Sequence, residues 1–497
     1  MKNYIAVDIG ASSGRLVRGT LHQQERRIEL QEIHRFSNSF TETEGHDYWD
    51  IDYLFAEIVK GLQQAKKEGI EACTLGIDTW AVDYVLLDDN GKRIHEVYAY
   101  RDGRTKDAPD RLHRKISRAE VYSRTGIQEL PFNTLYQLYV HEDDQLSQAA
   151  KIVMVPDYLY YRLTGKLINE VTNASTMQLL NLAERDFDSK LLGLLGLRRD
   201  QFAKLTEPGV KLGRISPELQ RQYDLPDCEL IVAPTHDTAS AVAGVPAQPH
   251  TSWAYISSGT WSLLGVERST PLNTAEAMNA NYTNEWGVYG TYRFLKNIMG
   301  LWMIQEVRRE TQNAYSFAAL AELAMREQPF QHLVPCNDQR FLNPRSMTEE
   351  IRACCRETGQ PEPDTTGKLA RCIFDSLALT YKDSIQELQR LTDQRIDTLH
   401  IVGGGANNEL LCQLTADMAQ IEVIAGPSEA TALGNIAVQM LSLGQLQGLE
   451  EARGIIGNSV PLKRYEPRPI HDLEGVEGMD VAGARWEQIK ARLVQPR

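Results

Sequence analysis

The sequence predicts an α/β protein of two domains. Its 497 residues are too many for one hydrophobic core and suit two domains of ordinary size. Two segments, residues 4–14 and 253–260, lead from an apolar run into a turn rich in glycine and serine. In a third, residues 230–241, an apolar run ends at Pro234, and a short polar turn with Asp237 leads into small residues typical of a tightly packed helix. Because open α/β sheets bind ligands at such strand ends, Asp237 is a candidate functional residue, although a helix N-cap explains an aspartate there equally well.

The composition restricts the class of partner. A formal net charge of −14 argues against a nucleic acid, which requires a basic surface. The sequence has no run of 18 apolar residues, so we expect no membrane span, and residues 1–4 lead into a strand without an apolar signal region. The seven cysteines form no C-x-x-C pair, which favours a reducing cytoplasm and buried thiols. A bridge between Cys355 and Cys372 and the oligomeric state are left open.

The first turn has the composition of a phosphate-binding loop. Residues 4–21 predict a strand, a glycine–serine turn at 10–14 and a second strand. We expect Gly10 and Gly14 to take positive φ and leave N–H groups and hydroxyls facing a phosphate. Asp8, just before the turn, is placed to hold a hydrated Mg²⁺. Residues 10–14 also match the G-x-S-x-G elbow of serine hydrolases, but that elbow requires a helix next, where this chain favours a strand. Taken alone, the turn is by default interpreted as an ordinary hairpin.

The next segments predict a helix and a second pair of strands. Apolar spacing favours a helix over residues 51–67, and residues 74–83 begin the strand pair, which the turn at 88–91 closes. Asp78, Trp80 and Asp83 at the strand ends could line a polyol pocket, since indole faces pack on C–H groups and carboxylates accept from hydroxyls. A core tryptophan beside solvated acids explains them as well.

The second half begins at a predicted boundary rich in proline and small residues, 244–250. We expect residues 296–305 to open a helix, residues 364–391 to form a long helix, and residues 399–402 to form a strand. Three glycines, 403–405, follow that strand and precede a helix that begins near Asn408, so the backbone there can approach a flat or charged group. A close-packed helix begins at 429–435. The chain has no P-loop, dinucleotide fingerprint or H-R-D loop, which excludes those three modes of phosphate binding.

The turns and glycine segments, taken in order, resemble those of the FGGY family of carbohydrate kinases. The resemblance runs from residue 4 to about 466 and includes residues 8–15, 76–80, 130–137, 236–242, 257–260, 295–302, 403–405 and 429–434. It implies an α/β, two-domain ribonuclease-H/actin-like ATPase fold with a central interdomain cleft. The implied domains are a sugar-binding domain with the catalytic base (1–244), a nucleotide-binding domain (245–465) and a C-terminal extension (466–497).

The resemblance also implies a reaction, transfer of the γ-phosphoryl group of ATP to O1 of L-rhamnulose. Asp237 would be the base, ionised at pH 7 without needing a raised pKa. Asp8 would hold Mg²⁺. The implied sugar contacts are Ala81, His236, Thr238 and Asn297. The implied ATP contacts are Ala11, Ser12, Ser13, Gly14, Arg15, Thr260, Gln305 and Gly404.

Three points stay open within this resemblance. Ala81 stands where the family is expected to have glycine, and its methyl group would lie at the sugar. The substrate could be another ketose, such as L-fuculose or L-xylulose. A sugar sensor of the same fold that binds ATP without turnover is the non-catalytic alternative, against which the intact Asp8 and Asp237 argue.

Overall fold

The computed structural model describes residues 2–249, 251–469 and 479–493. The chain forms two compact units that are not continuous segments. Unit 1 contains Met1–Gln248, Glu267–Leu295 and Ala430–Ser459; unit 2 contains Pro249–Val266, Lys296–Glu429 and Val460–Arg497. His250 of the predicted boundary, and residues 470–478 and 494–497 of the predicted C-terminal extension, lie outside the described residues. The linear limits given above remain a prediction about the family domains.

The β-strands are numbered in chain order. They are β1 Tyr4–Ile9, β2 Ser13–His22, β3 Arg27–Ser37, β4 Phe40–Thr43, β5 His46–Trp49, β6 Ala72–Thr79, β7 Tyr84–Leu87, β8 Val97–Tyr98, β9 Lys151–Met154, β10 Asn169–Glu170, β11 Leu180–Asn181, β12 Asp186–Phe187, β13 Leu205–Thr206, β14 Lys211–Arg214, β15 Asp227–Ile231, β16 Trp253–Ser258, β17 Trp261–Arg268, β18 Thr283–Trp286, β19 Tyr292–Met299, β20 Thr398–Val402, β21 Glu422–Ala425 and β22 Lys463–Tyr465.

The α-helices are numbered in the same way. They are α1 Ile51–Lys67, α2 Ala108–Leu112, α3 Arg118–Thr125, α4 Thr134–Tyr139, α5 Asp143–Gln148, α6 Val155–Thr164, α7 Val171–Ala174, α8 Ser189–Leu194, α9 Pro217–Tyr223, α10 Asp237–Ala243, α11 Ala275–Asn279, α12 Trp302–Glu310, α13 Phe317–Met325, α14 Met347–Glu357, α15 Thr366–Thr392, α16 Glu409–Ala419, α17 Ala430–Ser442, α18 Leu449–Ser459 and α19 Met479–Leu493. None of the helices in the described ranges is long and apolar enough to cross a membrane.

The main sheet of unit 1 has the strand order β14-β15-β6-β1-β2-β3. The strands β15, β6 and β1 are parallel, so their carboxyl ends meet at one edge of the sheet. At that edge Asp8 pairs in register with Asp78, and Thr79 forms an isolated parallel bridge with His236. The sheet therefore collects three sequence segments that are far apart in the chain at one edge.

Helix α10, which begins at Asp237, is held by close packing on α17. A methyl group on Gly434 would lie 1.8 Å from the carbonyl oxygen of Ser240, and one on Gly244 would lie 2.2 Å from that of Ala430. Two glycines thus allow the helix backbones to approach closely. The predicted close-packed helix at 429–435 is confirmed as the start of α17.

The sheet of unit 2 contains the order β17-β16-β20-β21-β22, in which β16, β20 and β21 are parallel. The predicted long helix and the strand after it are confirmed as α15 and β20, and α15 packs on α13 and α16. The helix predicted from residue 296 is wrong in its start. Lys296 to Met299 extend β19, and α12 begins only at Trp302, because the short apolar run there fits either period.

Two further expectations for unit 1 need correction. Strand β7 does not pair with β6 but with β9, so the predicted strand pair is wrong although both strands exist. Neither Gly10 nor Gly14 takes positive φ. Gly14 is required for space, because a Cβ would lie 2.2 Å from the ring of Phe36. The hydrolase elbow is excluded, because β2 and not a helix follows the turn.

All seven cysteines are free thiols and all are buried, as expected from the sequence. Cys355 and Cys372, whose pairing the sequence leaves open, are therefore unbridged in this structure.

Candidate active site

The turn between β1 and β2 is closed by backbone hydrogen bonds and by one side chain. The N–H of Gly10 donates to the carbonyl of Ser13 at 2.9 Å, and the side-chain amide of Asn38 donates to the carbonyl of Gly10 at 2.8 Å. Ser12 is exposed at the tip, and Ala11 and Ser13 are half-buried. The turn is thus rigid at its base and open at its tip, as a loop that binds a phosphate must be.

Arg15 lies opposite Asp8 across this hairpin. Its Nη2 and Nε lie 2.8 and 3.1 Å from the same carboxylate oxygen, Oδ2 of Asp8. Both side chains are mostly buried, so the attraction between them is only weakly screened by solvent. The residues assigned by sequence to phosphate and metal are therefore direct neighbours.

Asp78 lies beside Asp8 on the adjacent parallel strand and is fully buried. Its Oδ2 accepts a hydrogen bond from Nδ2 of Asn435 at 2.5 Å, whereas its Oδ1 has no hydrogen-bond partner among the residues that the structure describes. Burial, and next the negative charge of Asp8, raise the pKa of Asp78 well above its usual range. Asp78, considered above for a polyol pocket, instead belongs to a carboxylate cluster with Asp8.

Asp237 is the first residue of α10 and keeps 32% of its side chain exposed. Its Oδ1 accepts hydrogen bonds from the backbone N–H and the hydroxyl of Thr238, the latter at 3.2 Å. Partial burial raises the pKa of Asp237, and Asp8 adds to this rise while His236 opposes it. The role expected from the sequence did not require a raised pKa for Asp237, and the structure adds one.

Glu170 anchors the turn that carries Asp237 through buried hydrogen bonds. Its fully buried carboxylate accepts from the N–H and hydroxyl of Thr235, at 3.0 and 2.6 Å, and from the same two groups of Thr172, at 2.9 and 2.6 Å. Burial raises the pKa of Glu170, although these hydrogen bonds oppose the rise. Glu170 was not expected from the sequence as a residue of the site. Its only local signal is an acid that precedes a run of small polar residues.

The loop that contains Ala81 is strained and tightly held. Val82 has φ of 67°, a left-handed conformation that is rare for a β-branched residue. The hydroxyl of Thr134 donates to the carbonyl of Val82 at 2.6 Å. Strain of this kind persists where the surroundings fix it, often at functional sites. Ala81 itself is half-buried.

Asp83 anchors the same loop from within the core. Its Oδ2 accepts from the indole N–H groups of Trp49 and Trp80, at 2.7 and 2.9 Å, and its Oδ1 accepts from Gln137 at 2.9 Å. Burial raises the pKa of Asp83 to about 6, against the effect of these donors. Trp80 is a core residue, as one of the two interpretations held, but Asp83 is buried and not solvated.

In unit 2, the second serine–glycine turn contacts the start of α12. The N–H of Trp302 donates to the carbonyl of Thr260 at 3.1 Å, and the Thr260 hydroxyl lies 3.4 Å from Oε1 of Gln305. Gly259 is exposed, and Thr260 and Gln305 are half-buried. The structure thus brings together two of the predicted ATP contacts. Asn297 lies on β19, half-buried, in the same unit.

The three consecutive glycines have different roles. Gly403 has φ of 81°, and a Cβ there would lie 2.8 Å from the carbonyl oxygen of Ser258. A Cβ on Gly405 would lie 1.9 Å from Oγ of Ser258, so both glycines are needed for packing on β16. Gly404 is exposed, and the nearest atom to its Cβ would be 4.0 Å away. Only Gly404 is therefore open to a ligand.

His236 contacts two buried residues that the sequence analysis missed, Glu285 on β18 and Arg293 on β19. They lie 49 and 57 positions further along the chain, and no local pattern links them to His236. Within unit 1, the predicted residues Asp8, Arg15, His236, Asp237 and Thr238 lie at or near the carboxyl edge of the sheet.

Comparisons with known proteins agree with this architecture. Models of the N- and C-terminal domains of the FGGY family of carbohydrate kinases match residues 3–244 and 254–443. A rhamnulokinase of Bacillus subtilis (strain 168) is 50% identical over 94% of this chain and 96% of its own. A rhamnulokinase of Lactiplantibacillus plantarum is 51% identical over 94% and 95%.

Solved structures extend the comparison at low identity. A ligand-bound xylulose kinase from Lactobacillus acidophilus has a TM-score of 0.79 at 16% identity, covering 100% of this chain and 99% of that chain. A glycerol kinase from Plasmodium falciparum with ADP has a TM-score of 0.77 at 13% identity, with the same coverage. These likenesses confirm the predicted actin-like ATPase fold. The chain belongs to the FGGY family of carbohydrate kinases, and it is an ATP-dependent sugar kinase.

Proposed function

We propose that this protein phosphorylates L-rhamnulose at O1 with ATP, in the breakdown of rhamnose. The observation that carries the proposal is identity of about half of all residues with rhamnulokinases over nearly the full length of both chains. The arrangement of Asp237, Asp8 and Arg15 at one sheet edge supports the reaction type, since phosphoryl transfer needs a proton acceptor and compensation of phosphate charge.

Asp237 is proposed as the base that accepts the proton of the sugar hydroxyl. Its carboxylate is partly exposed at a helix start, and Thr238 occupies one of its oxygens. This hydrogen bond to Oδ1 fixes the carboxylate, so the second oxygen, Oδ2, also has a fixed direction. A raised pKa makes the carboxylate a better proton acceptor at neutral pH, provided that it stays ionised.

Arg15 and the turn before it are proposed to bind the terminal phosphates. The guanidinium can donate several hydrogen bonds in a fixed plane, and two of its nitrogens lie within 3.1 Å of Asp8. The exposed Ser12 and half-buried Ala11 and Ser13 would add backbone and hydroxyl donors, and Gly14 keeps the turn close to Phe36. In unit 2, Thr260, Gln305 and Gly404 are proposed as nucleotide contacts, supported by the openness at Gly404.

The carboxylate cluster fits a hydrated Mg²⁺. Asp8 and Asp78 offer hard oxygen donors, and the buried Oδ1 of Asp78 lacks a hydrogen-bond partner within the described part of the chain. No group of three or more acidic, histidine or cysteine side chains in that part could hold an ion alone. Mg²⁺ commonly binds through one or two carboxylates, waters and substrate phosphates. We therefore propose that Asp8 holds it through water. When bound, the ion would neutralise charge on the phosphate oxygens.

His236, Thr238, Asn297 and the backbone near Ala81 are proposed as sugar contacts. His236 has one ring edge fixed by buried groups, and Ala81 lies in a strained loop that the core holds in place. Such rigid contacts favour discrimination between ketoses. The seven unbridged cysteines support a reducing cytoplasm as the proposed location.

An ADP-release assay with a panel of sugars tests the proposal. L-rhamnulose, L-fuculose, L-xylulose and glycerol are compared at saturating Mg²⁺-ATP, with a no-sugar control and an EDTA control. We expect the highest kcat/KM with L-rhamnulose and no activity after EDTA. A higher kcat/KM with another ketose would transfer the assignment to that sugar, and ADP release independent of sugar would contradict sugar kinase activity.

A further inference from the structure

A buried ion pair lies directly behind the proposed sugar-binding histidine. Glu285 and Arg293 are register partners in the β18–β19 hairpin. They are 5% and 0% exposed, and His236 is 5% exposed. All three residues belong to unit 1, so one compact unit contains the whole cluster.

Arg293 is fixed by contacts on several sides. Its Nη1 lies 3.0 Å from Oε2 of Glu285, its Nε donates to the carbonyl of Trp286 at 3.3 Å, and its Nη2 donates to the carbonyl of Thr172 at 3.3 Å. The same Nη2 lies 3.1 Å from Nδ1 of His236. The guanidinium therefore presents an N–H group to one particular ring nitrogen.

This contact determines the tautomer of the imidazole. A guanidinium has only donors, so Nδ1 must accept from it, and the ring proton of neutral His236 then resides on Nε2. Oε2 of Glu285 lies 3.2 Å from the same Nδ1 and would favour the other tautomer, but it is paired with Arg293. The Nε2–H group points to Asp237, whose Oδ1 lies 3.5 Å away.

Stability alone does not explain why these two charges are buried together. Burying two charges costs desolvation that their attraction repays only with good geometry, so an apolar pair is often as stable. In this structure the ion pair holds the guanidinium of Arg293 against Nδ1 of His236. Against the effect of burial, the positive charge of Arg293 lowers the pKa of Glu285, so the ion pair keeps both of its charges.

We propose that Arg293 and Glu285 are positioning residues that fix His236 as an Nε2–H donor beside Asp237. The proposal rests on the proposed function in one respect, that the sugar binds at His236 and Asp237. Glu285 orients and neutralises the guanidinium, Arg293 binds Nδ1, and the imidazole directs its N–H at the sugar oxygen or at the carboxylate of the base. The ring thereby keeps one orientation throughout the reaction.

The tautomer can be measured without substrate. ¹⁵N spectra of histidine-labelled wild-type protein at pH 8 distinguish protonated from unprotonated ring nitrogens, and His236→Asn identifies the signal. We expect the Nε2–H form. An Nδ1–H signal for His236 would overturn the proposal even if the enzyme proves to be a fully active rhamnulokinase, whereas a protein inactive on every ketose but with the Nε2–H signal would contradict only the proposed function.

Two variants test the effect on catalysis. Arg293→Met leaves Glu285 free to accept from Nδ1, so we expect the tautomer to switch and kcat/KM for the ketose to fall by up to about 100-fold, with KM for ATP nearly unchanged. Glu285→Gln/Arg293→Gln removes both charges but keeps an amide donor for Nδ1, so we expect it to be more active than the single variant. Equal activity of wild type and Arg293→Met would overturn the proposal.

Arg185→Met is the matched control, because Arg185 lies between β11 and β12 and contacts the same β18–β19 hairpin. Arg185 donates to the hydroxyl of Tyr292 at 2.9 Å and lies over the ring of Trp286, so it supports the hairpin through groups other than the Glu285–Arg293 pair. If the substitution only loosens the hairpin, we expect the melting temperature of Arg185→Met to change and its kcat/KM to stay close to that of wild type. If Arg293→Met does not fold, the wild-type tautomer still decides the proposal.

Discussion

Nη2 of Arg15 lies 2.8 Å from Oδ2 of Asp8, so the arginine proposed to bind phosphate donates directly to the carboxylate proposed to hold the metal. A register pair between adjacent antiparallel strands sets this distance. Arg15 also lowers the pKa of Asp78, whose large upward shift comes from burial and from Asp8. Arg15 therefore offsets part of the negative charge of Asp8 and Asp78, and the proposed binding of phosphate by Arg15 would be coupled to that charge.

Arg15→Ala should reduce turnover more than binding. The guanidinium would stabilise charge that develops on the transferred phosphate, and loss of one such donor costs roughly 2.7–4 kcal/mol, or about 10²–10³-fold in kcat. Steady-state kinetics with ATP and ketose measure this change. Arg18→Ala, on the same strand and near Gln31, is the matched control and should keep kcat near the wild-type value. Unchanged kcat with a raised KM for ATP would make Arg15 a ground-state anchor instead.

The elements with a strong local pattern were predicted correctly from the sequence. The amphipathic helix α1, the long helix α15 and the strand before Asp237 follow from apolar spacing and flanking turn residues. The candidate residues Asp8 and Arg15 could be found because they flank a glycine–serine turn. Local patterns thus identify parts of the site that are contiguous in the chain.

The parts that depend on tertiary packing could not be predicted in this way. Strand β7 pairs with β9, about 67 residues further along, and no local signal identifies that partner. Glycines 403 and 405 reflect contact with Ser258 rather than with a ligand, which requires knowledge of the neighbouring strand. Glu170, Glu285 and Arg293 reach residues of the candidate site through buried contacts between distant segments. Only the folded structure brings these groups together.

Gly434→Ala should destabilise the protein and displace the helix that carries Asp237. The added methyl group would lie 1.8 Å from the carbonyl oxygen of Ser240, a backbone atom that cannot move away without moving α10. Overpacking of this kind costs roughly 1–3 kcal/mol. Chemical denaturation measures the free energy of unfolding, and steady-state kinetics measure kcat. We expect both quantities to fall.

Gly454→Ala is the matched control for that substitution. Gly454 is exposed in α18, and a Cβ there would meet no atom within 4 Å in the described ranges. Alanine should stabilise the helix by about 0.5–1 kcal/mol. Equal stability of the two variants would contradict the close approach of α10 and α17.

Asp83→Asn should change how stability depends on pH. Because burial raises the pKa of folded Asp83 to about 6, the wild-type protein retains this proton after the unfolded chain has released it at about 4. The contribution of Asp83 to the unfolding free energy is therefore full below pH 4, declines up to about pH 6 and is constant above. The decline corresponds to about 3 kcal/mol. Denaturation from pH 4 to 8 gives the unfolding free energy of wild type minus that of Asp83→Asn. We expect this difference to fall as pH rises, and a difference that grows with pH would contradict the raised pKa.

Asp237→Asn separates the catalytic role from a structural role at the start of α10, where His236 and not Asp237 occupies the N-cap position. Asparagine keeps the size and an acceptor for the N–H of Thr238, so the start of α10 and the melting temperature should be preserved. It cannot accept the proton of the sugar, so kcat should fall by the 10²–10⁴-fold typical of general-base loss, roughly, while the KM for the ketose changes little. Asp50→Asn is the matched control, because Asp50 caps α1 through the N–H of Tyr53 at 2.9 Å and has no proposed role in the reaction. Near-native kcat of Asp237→Asn, with both variants folded, would leave Asp237 only its hydrogen bond to Thr238 at the start of α10 and remove the base from the proposed reaction.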